Sequence, residues 1–224
     1  MFENNIIGLF PTPVYKNNFM NDISYLKNDI LKIVQEDSKL SENQGNTTFF
    51  HNNVNSYLDL DLFSPLKKII QQEINSFKEN VLCWPKDINI ELSSSWLNYS
   101  NKKENYHHDH YHPNSYLSGV FYFKTIEPED KIFFKNPLIN NNNLYYNIDF
   151  DMDIGNYNYF NSLTWWINVS SYDLIMFPSG LRHFVEPNND CNEKNDRLSL
   201  SFNTKLVGEY PASNRNDSVY WEAK

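Results

Sequence analysis

The chain has 224 residues, of which 40% are hydrophobic and 16% aromatic, and this composition excludes a disordered or low-complexity protein. Its formal net charge is −9, and Lys and Arg cluster only in short pairs such as Lys67-Lys68, which argues against nucleic acid as a partner. No apolar run approaches the roughly 20 residues that cross a bilayer, and the N-terminus does not resemble a signal peptide. We therefore expect a soluble, cytoplasmic protein without a membrane partner, in which Cys83 and Cys191 are free thiols.

The first part of the chain predicts a strand at a sheet edge, followed by two helices. LFPTPVY, residues 9–15, places two prolines around a short extended segment. Asn21-Asp22 offers a helix N-cap, and Ser64-Pro65 is a stronger start because proline is favoured at the first helical position. The predicted core-facing stripes are Ile23, Leu26, Ile30, Ile33 and Val34 in one helix, and Leu66, Ile69, Ile70, Ile74, Phe77 and Val81 in the other.

From residue 88 onwards the pattern of apolar residues predicts strands. The predicted strands are residues 88–99, LSGVFYFK (117–124), KIFFK (131–135), DLIMF (173–177) and RLSLSFN (197–203). The nearly continuous apolar run of LSGVFYFK is typical of a strand covered on both faces. Helices followed by many short strands indicate a mainly β fold, a barrel or sandwich supported by N-terminal helices.

We interpret the chain as a single domain, residues 1–224. Residues 1–87 contribute the first strand and the helices, residues 88–210 the β core, and residues 211–224 a C-terminal tail. A long insertion at 138–165 interrupts the core, and loops of this length are more often functional than not. Its segment 140–161 is predicted to be a mobile lid over the barrel mouth, where Asp149, Asp151 and Asp153 would favour a basic or neutral substrate.

Histidines cluster in a way that suggests a metal site. Five of the six are His107, His108, His110, His112 and His183. Residues two apart on a strand share a face, so His110 pairs with His112, and His107 with Asp109. The two pairs have opposite parity, and an unbroken strand directs only one of them inward. Either pair, completed by His183, would leave open positions on a metal ion, as in non-haem iron(II) sites.

A second polar cluster lies on the alternating segment RLSLSFN. Arg197, Ser199, Ser201 and Asn203 occupy one face, opposite three apolar residues. A guanidinium forms two parallel hydrogen bonds with a carboxylate, so Arg197 with Ser199 suits a carboxylate ligand. We expect a buried Arg197 to be satisfied by such a ligand, or by water and an anion in its absence. Pairing with an Asp or Glu of the protein is the structural alternative.

Five stretches taken in order resemble the Fe(II)/2-oxoglutarate oxygenases, and most closely their prolyl-4-hydroxylase-like branch in marine bacteria and phages. They are LFPTPVY, SSWLNYS, HYHPNSYLSGVFYF, DLIMFPSGLRHFVEPN and RLSLSFN, and they span nearly the whole chain. The resemblance implies a double-stranded β-helix, of the jelly-roll or cupin-like type. It also implies Fe(II), with 2-oxoglutarate and O2 as cosubstrates. The expected reaction is hydroxylation of a C–H bond in an amino acid, peptide or small metabolite, with release of succinate and CO2.

The resemblance also implies roles for particular residues. His110, His112 and His183 would bind iron, and the PNS and SGV residues after His112 favour this register. Most of the superfamily has a carboxylate where His112 stands, so His107 with Asp109 is the alternative first pair. Those expected to bind 2-oxoglutarate are Arg197 and Ser199, with Tyr122 as a further donor and Tyr99 facing the cosubstrate. No catalytic side chain beyond the metal ligands is expected.

Two other interpretations stay open from the sequence alone. A zinc- or other metal-binding β-barrel protein, such as a hydrolase, explains the histidines but leaves Arg197 and Ser199 without a role. A ligand-binding module would use aromatic pairs such as Tyr145-Tyr146 and Trp165-Trp166, which serve a substrate lid equally well. The sequence leaves open the substrate, within small molecules and peptides, and the oligomeric state, for which a homodimer is one option.

Overall fold

Strands in two antiparallel sheets form most of the structure, which is a computed structural model describing residues 8, 10–36, 47–48, 56–138, 156–211 and 218–221. The strands are β1 (Tyr15–Asn18), β2 (Asn89–Ser100), β3 (His107–His110), β4 (Leu117–Lys124), β5 (Asp130–Lys135), β6 (Thr164–Val169), β7 (Asp173–Pro178), β8 (His183–Val185), β9 (Arg197–Pro211) and β10 (Ser218–Trp221).

The larger sheet has the order β1-β7-β4-β9, and β9 also pairs with β2 and, near its end, with β10. The smaller sheet has the order β3-β8-β5-β6. Side chains from both sheets line a common interior, so the fold is the predicted double-stranded β-helix. The predicted LSGVFYFK strand coincides with β4, whereas β6 and β10 were not predicted.

Helices cover the outer face of the larger sheet. They are α1 (Met20–Ile23), α2 (Lys27–Glu36) and α3 (Ser64–Phe77), with a 3-10 turn between the first two. In α3 the predicted stripe is buried at Leu66, Ile70, Ile74 and Phe77. Ser64 is the first residue of α3 rather than its cap, because a 3-10 turn at Asp61–Phe63 leads directly into the helix.

The prediction for Val81 is wrong, because this side chain is 50% exposed instead of buried. After α3 the backbone widens into a π-helical turn, Lys78–Leu82, which ends at Cys83 in the left-handed conformation. Each turn of a π-helix holds more residues than an α-helical turn, so the apolar stripe loses its register beyond Phe77.

Two apolar clusters make up the core of the described structure. One lies between the helices and the larger sheet, and the other lies inside the barrel around Tyr122, Ile132, Phe134 and Phe177. At Gly119 on β4, a Cβ atom would lie 2.4 Å from the Phe202 ring and 2.6 Å from the Ile175 carbonyl oxygen. The strands therefore approach each other at a spacing that only glycine permits here.

The structure bears on the predictions for the lid, the cysteines and membrane spans to different extents. Most of the proposed lid at 140–161, namely residues 140–155 with its three aspartates, lies outside the described residues. Cys83 and Cys191 are free thiols, as predicted. The described helices are too short or too polar to serve as membrane spans.

Candidate metal centre

Three of the predicted ligands meet at one end of the smaller sheet. His110 on β3 lies opposite His183 on β8 in the antiparallel ladder. His112 follows β3, and its backbone N–H donates to the Ser179 carbonyl oxygen at 3.0 Å, which ties the two ligand-bearing segments together. One ligand atom from each of the three histidines lies within 4.8 Å of the others.

A β-bulge resolves the conflict of parity between the two histidine pairs. His107 lies opposite Val185 and His110 opposite His183, so the register shifts between them. A bulge adds one residue to one strand and turns the following side chains to the other face. His107 and His110 consequently line the same cavity, which an unbroken strand would not allow.

Backbone carbonyl groups fix the tautomers of two candidate ligands. The Nδ1 atom of His183 lies 3.0 Å from the Leu181 oxygen, and Nδ1 of His110 lies 2.6 Å from the His108 oxygen. A carbonyl oxygen only accepts, so each Nδ1 must carry the proton and donate it. In the neutral imidazole with this tautomer, Nε2 carries the lone pair that binds a metal ion.

The spacing of these nitrogens fits a shared metal ion. Nε2 of His112 lies 3.3 Å from Nε2 of His183. Nitrogen ligands about 2.1 Å from one metal ion, in octahedral or tetrahedral geometry, lie about 3.0 to 3.4 Å from each other. Three imidazole donors without a carboxylate suit iron(II) and also zinc.

The protein environment keeps two of the candidate ligands, His112 and His183, neutral. Burial, followed by the electrostatic interaction with His110, lowers the pKa of His183 to about 3. The same two causes lower the pKa of His112 to about 4, against the opposing effect of a hydrogen bond with Asn203. Both imidazoles are therefore unprotonated at neutral pH, and a metal ion need not displace a proton to bind.

Asp109, the alternative ligand, points away from this centre. Its carboxylate accepts from Arg182 Nε at 3.0 Å and lies 2.8 Å from the Lys135 ammonium. Burial alone would raise the pKa of Asp109, but hydrogen bonds from Lys135 and Arg182 outweigh that effect and lower it. The structure thus brings together His110, His112 and His183 and leaves Asp109 in a partly exposed ion-pair network.

A serine network that was not predicted supports the two ligand-bearing turns. Ser179 Oγ lies 2.8 Å from Ser118 Oγ and donates to Ser115 Oγ at 2.8 Å. Ser118 also donates to Asn203 Oδ1 at 2.8 Å, which connects the network to β9. The PNS and PSG sequences beside the ligands were the available signal, because serines in adjacent turns often bond to each other or to the backbone.

Beside the three histidines is a small cavity of about 60 Å³ that reaches into the barrel. Arg197, Ser199 and Tyr122 line it, and all three are almost completely buried. Ser199 lies opposite Tyr122 in the ladder between β9 and β4. The structure therefore places three of the four predicted cosubstrate residues in the same cavity as the histidines.

Arg197 has a protein partner, which is the structural alternative left open by the sequence, so it is not satisfied by a ligand or solvent alone. Its Nε donates to Asp130 Oδ2 at 2.7 Å, and its Nη2 donates to Asp130 Oδ1. Burial alone would lower the pKa of Arg197, but the bonds and charge of Asp130 outweigh it and raise the pKa. No sequence pattern marked Asp130, which lies 67 residues away at the start of β5.

Tyr99 does not face the cosubstrate cavity, contrary to the expectation. Trp96 and Asn98 on β2 line the cavity, and Tyr99, one residue further, points to the opposite face. Burial raises the pKa of Tyr99 to about 12, with further contributions from the charge of Asp196 and a hydrogen bond to it. The alternation of β2 thus assigns Tyr99 to the outer side of the barrel.

A larger cavity of about 400 Å³ adjoins the histidines on the other side. It shares Trp96, Asn98, His107, His110 and His112 with the smaller cavity. The other described residues that line it are Thr47, Tyr106, His108, Tyr111, Pro113 and Asn203. Apart from Pro113, the walls in the described part of the chain are aromatic or polar, and the Trp96 ring stacks on His112 with a centroid distance of 5.6 Å.

A double-stranded β-helix with three converging histidines at one end of its interior defines a class of metal-binding barrel proteins. Residues 94–203, which include all the candidate ligands, match the family described as "Putative 2OG-Fe(II) oxygenase". Over this region, just under half of the chain, the sequence is similar to the 2OG-Fe(II) oxygenases. No curated protein matches the chain by sequence.

Solved structures share the fold at low sequence identity. A prolyl-4-hydroxylase from Pseudomonas putida is 10% identical, with 87% of this chain and 92% of that chain covered and a TM-score of 0.51. HygX from Streptomyces hygroscopicus, solved with nickel and 2-oxoglutarate bound, is 10% identical, with 87% and 83% covered and a TM-score of 0.51. The non-heme alpha-ketoglutarate-dependent epimerase SnoN from nogalamycin biosynthesis is 12% identical, with 92% and 83% covered and a TM-score of 0.51.

Proposed function

We propose that this chain is an iron(II)- and 2-oxoglutarate-dependent dioxygenase that oxidises a C–H bond of a small molecule or peptide. The observation that carries the proposal is the shared cavity. It joins the histidine Nε2 atoms to a buried arginine and two hydroxyl side chains in one continuous space. When bound, iron(II) supplies the oxidative chemistry, in which 2-oxoglutarate and O2 are consumed with release of succinate and CO2.

The residues of the chain have separate tasks in this proposal. His110, His112 and His183 hold the metal as neutral imidazoles, and Asn203 and the serine network fix the position of His112. Arg197, Ser199 and Tyr122 bind the distal carboxylate of 2-oxoglutarate, because a guanidinium and hydroxyl groups are the donors that a buried carboxylate requires. Tyr99 has no role in binding 2-oxoglutarate in this proposal.

The substrate is proposed to enter the larger cavity. Its position beside His110 and His112 places a ligand next to the metal, and its volume of about 400 Å³ is that of a small-molecule site. Tyr106, Tyr111 and Trp96 supply apolar contact area, and among the described lining residues none is acidic, Lys or Arg. A neutral molecule or the neutral side chain of a peptide fits these walls best.

Anaerobic titration tests the central proposal. The full chain with Fe(II) should develop a weak visible charge-transfer band only after 2-oxoglutarate is added, and neither component alone should produce it. Because an epimerase shares this fold, the product analysis should also allow for outcomes other than an alcohol. A succinate-release screen against pooled metabolites and peptides, with product analysis by mass spectrometry, would therefore establish both the substrate and the outcome.

A zinc protein is the second candidate, because three histidines without a carboxylate also form a zinc site and Asp109 is turned away. Such a protein would bind zinc stoichiometrically and would give no band and no dependence on 2-oxoglutarate. If the folded protein loaded with iron gives no band on addition of 2-oxoglutarate, a hydrolytic or structural role would replace the dioxygenase proposal.

A further inference from the structure

The ion pair between Arg197 and Asp130 joins the two sheets inside the barrel. The side chains are 5% and 1% exposed, and Asp130 occupies one edge of the guanidinium through two hydrogen bonds. Arg197 begins β9 of the larger sheet, whereas Asp130 begins β5 of the smaller one. The position of the guanidinium therefore depends on both sheets at once.

Asp130 is itself held by the backbone around it. Its Oδ2 accepts from the Ile126 N–H at 3.2 Å, and its Oδ1 accepts from the Lys131 N–H at 3.0 Å. Four donors, two from the backbone and two from Arg197, thus surround one buried carboxylate. Moving it away would leave buried donors and charges without partners, which is strongly unfavourable. Asp130 is a fixed part of the barrel and not a mobile substitute for a ligand.

The remaining donors of Arg197 are directed elsewhere. A guanidinium has five N–H groups, and Asp130 takes the Nε–H and one Nη2–H. Within the described residues, the two Nη1–H groups and the second Nη2–H have no hydrogen-bond partner, and they form the outer edge of the fork. Arg197 lines the small cavity and Asp130 does not, so the outer edge is the part of the pair that a ligand in the cavity can reach.

We propose that Asp130 is a positioning residue that orients Arg197, so that the outer edge of its guanidinium forms the binding surface for the distal carboxylate of a 2-oxo dicarboxylate. The inference rests on the proposed function and adds a residue to it. Because the pair is neutral overall, the cavity recognises the dicarboxylate through the direction of its hydrogen bonds more than through net positive charge.

Calorimetry with Mn(II) in place of Fe(II) tests the inference on the full chain. The ligands are 2-oxoglutarate and pyruvate, which share the 2-oxo acid group but differ in the distal carboxylate. In Asp130→Asn the affinity for 2-oxoglutarate should fall at least tenfold, while the affinities for pyruvate and Mn(II) stay as in the parent. The preference for 2-oxoglutarate over pyruvate should therefore fall by the same factor, which a general loss of stability would not cause.

Asp173→Asn is the matched control. Asp173 also begins a strand, is buried, accepts from a backbone N–H (Ser170, 2.7 Å) and pairs with a cation (Lys16, 3.1 Å), but it lines neither cavity. This variant should keep the parental preference. If Asp130→Asn keeps the parental preference for 2-oxoglutarate over pyruvate, Asp130 has only a structural role and the inference is wrong. If the variant binds 2-oxoglutarate more tightly, Asp130 competes with the ligand for Arg197, and the inference is wrong as well. A parent protein that binds Mn(II) but not 2-oxoglutarate would overturn the proposed function itself.

A measurement on the parent protein covers the case in which Asp130→Asn does not fold. The chain has three arginines, Arg182, Arg197 and Arg215, so its arginine Nε–H signals are few enough to assign by NMR. With zinc in the site, the Arg197 Nε–H should exchange slowly with solvent both before and after 2-oxoglutarate is added. Loss of that protection on binding would mean that the ligand displaces Asp130, and the inference would be wrong.

Discussion

At the residue scale, the candidate ligand His112 is an imidazole at the position where the resemblance implies that most of the superfamily has a carboxylate. His112 is neutral, and its Nε2 lies 3.3 Å from that of His183. The nearby carboxylate of Asp109 is engaged by Arg182 and Lys135 at the surface. In the proposed site, three neutral ligands would leave the full charge of a divalent ion to be balanced by the anionic cosubstrate, so we expect metal and 2-oxoglutarate binding to be coupled.

We predict that His112→Ala removes stoichiometric iron binding, because two imidazoles alone hold the ion too weakly. The matched change Asp109→Ala should keep full iron content and lose only part of a surface ion-pair network. Metal analysis of both proteins after anaerobic loading with Fe(II) provides the measurement, and circular dichroism checks the fold. Retention of iron by the first variant and its loss from the second would make Asp109 the ligand.

For Arg197, we predict that Arg197→Lys raises the Michaelis constant for 2-oxoglutarate and leaves iron affinity nearly unchanged. A lysine preserves the charge opposite Asp130 but offers a point charge in place of the planar fork. Losing charge-assisted hydrogen bonds to the cosubstrate costs about 1.5 to 3 kcal/mol, or about ten- to a hundredfold in affinity. If a steady-state titration of 2-oxoglutarate gives the parental value, Arg197 serves only its ion pair with Asp130.

At the scale of single elements, β4 must approach its neighbours closely beside the small cavity. We predict that Gly119→Ala destabilises the protein by about 1 to 3 kcal/mol, the usual cost of overpacking. The added Cβ would lie 2.6 Å from the Ile175 carbonyl oxygen, which the sheet holds in place. Gly180→Ala is the control, because a Cβ there meets nothing within 4 Å. Equal midpoints of urea unfolding for both variants would contradict the prediction.

The bulge in β3 is a second local feature with a consequence for the site, because it determines which histidines line the same cavity. With it, His107 joins His110 in facing the interior. Burial, followed by the charge of Arg197, lowers the pKa of His107 to about 4, so a neutral imidazole lines the cavity together with His110 and Arg197. A regular strand would have placed only one of the two histidines there.

At the scale of the whole molecule, the buried histidines make stability depend on pH. The pKa of His183 is about 3 in the folded, metal-free protein, whereas an unperturbed histidine has a pKa of about 6.5. The unfolded chain therefore takes up the proton first as the pH falls below about 6.5, so acidification favours unfolding. The stability contribution is fully present above this pH and declines as the pH falls towards the folded value.

We predict that His183 alone lowers the free energy of unfolding of the metal-free protein by about 2 kcal/mol between pH 8 and pH 5. Urea denaturation at the two pH values measures the effect. His183→Asn, which cannot titrate, should show a shallower dependence than the parent. Parallel pH profiles for the two proteins would show that another group controls the acid sensitivity. Saturating zinc at pH 8 should raise the midpoint, because it binds the folded state preferentially.

The sequence by itself determined what depends on local periodicity and spacing. The alternation of RLSLSFN placed Arg197 and Ser199 on one face of β9, and the structure keeps them there, both buried in the cavity. The run LSGVFYFK likewise coincides with β4. In an extended strand the direction of a side chain follows from its position in the chain, so such features need no knowledge of distant partners.

Only the tertiary structure decided which distant groups meet. Asp130 of the smaller sheet pairs with Arg197 of the larger sheet. The bulge in β3 turns His107 towards the cavity, and Tyr99 on β2 faces away from it. Each outcome depends on the register between strands far apart in the chain and on which face of a strand the barrel encloses. The strand register and the enclosed face are set by the packing of the whole core, so they cannot be predicted from a local sequence pattern.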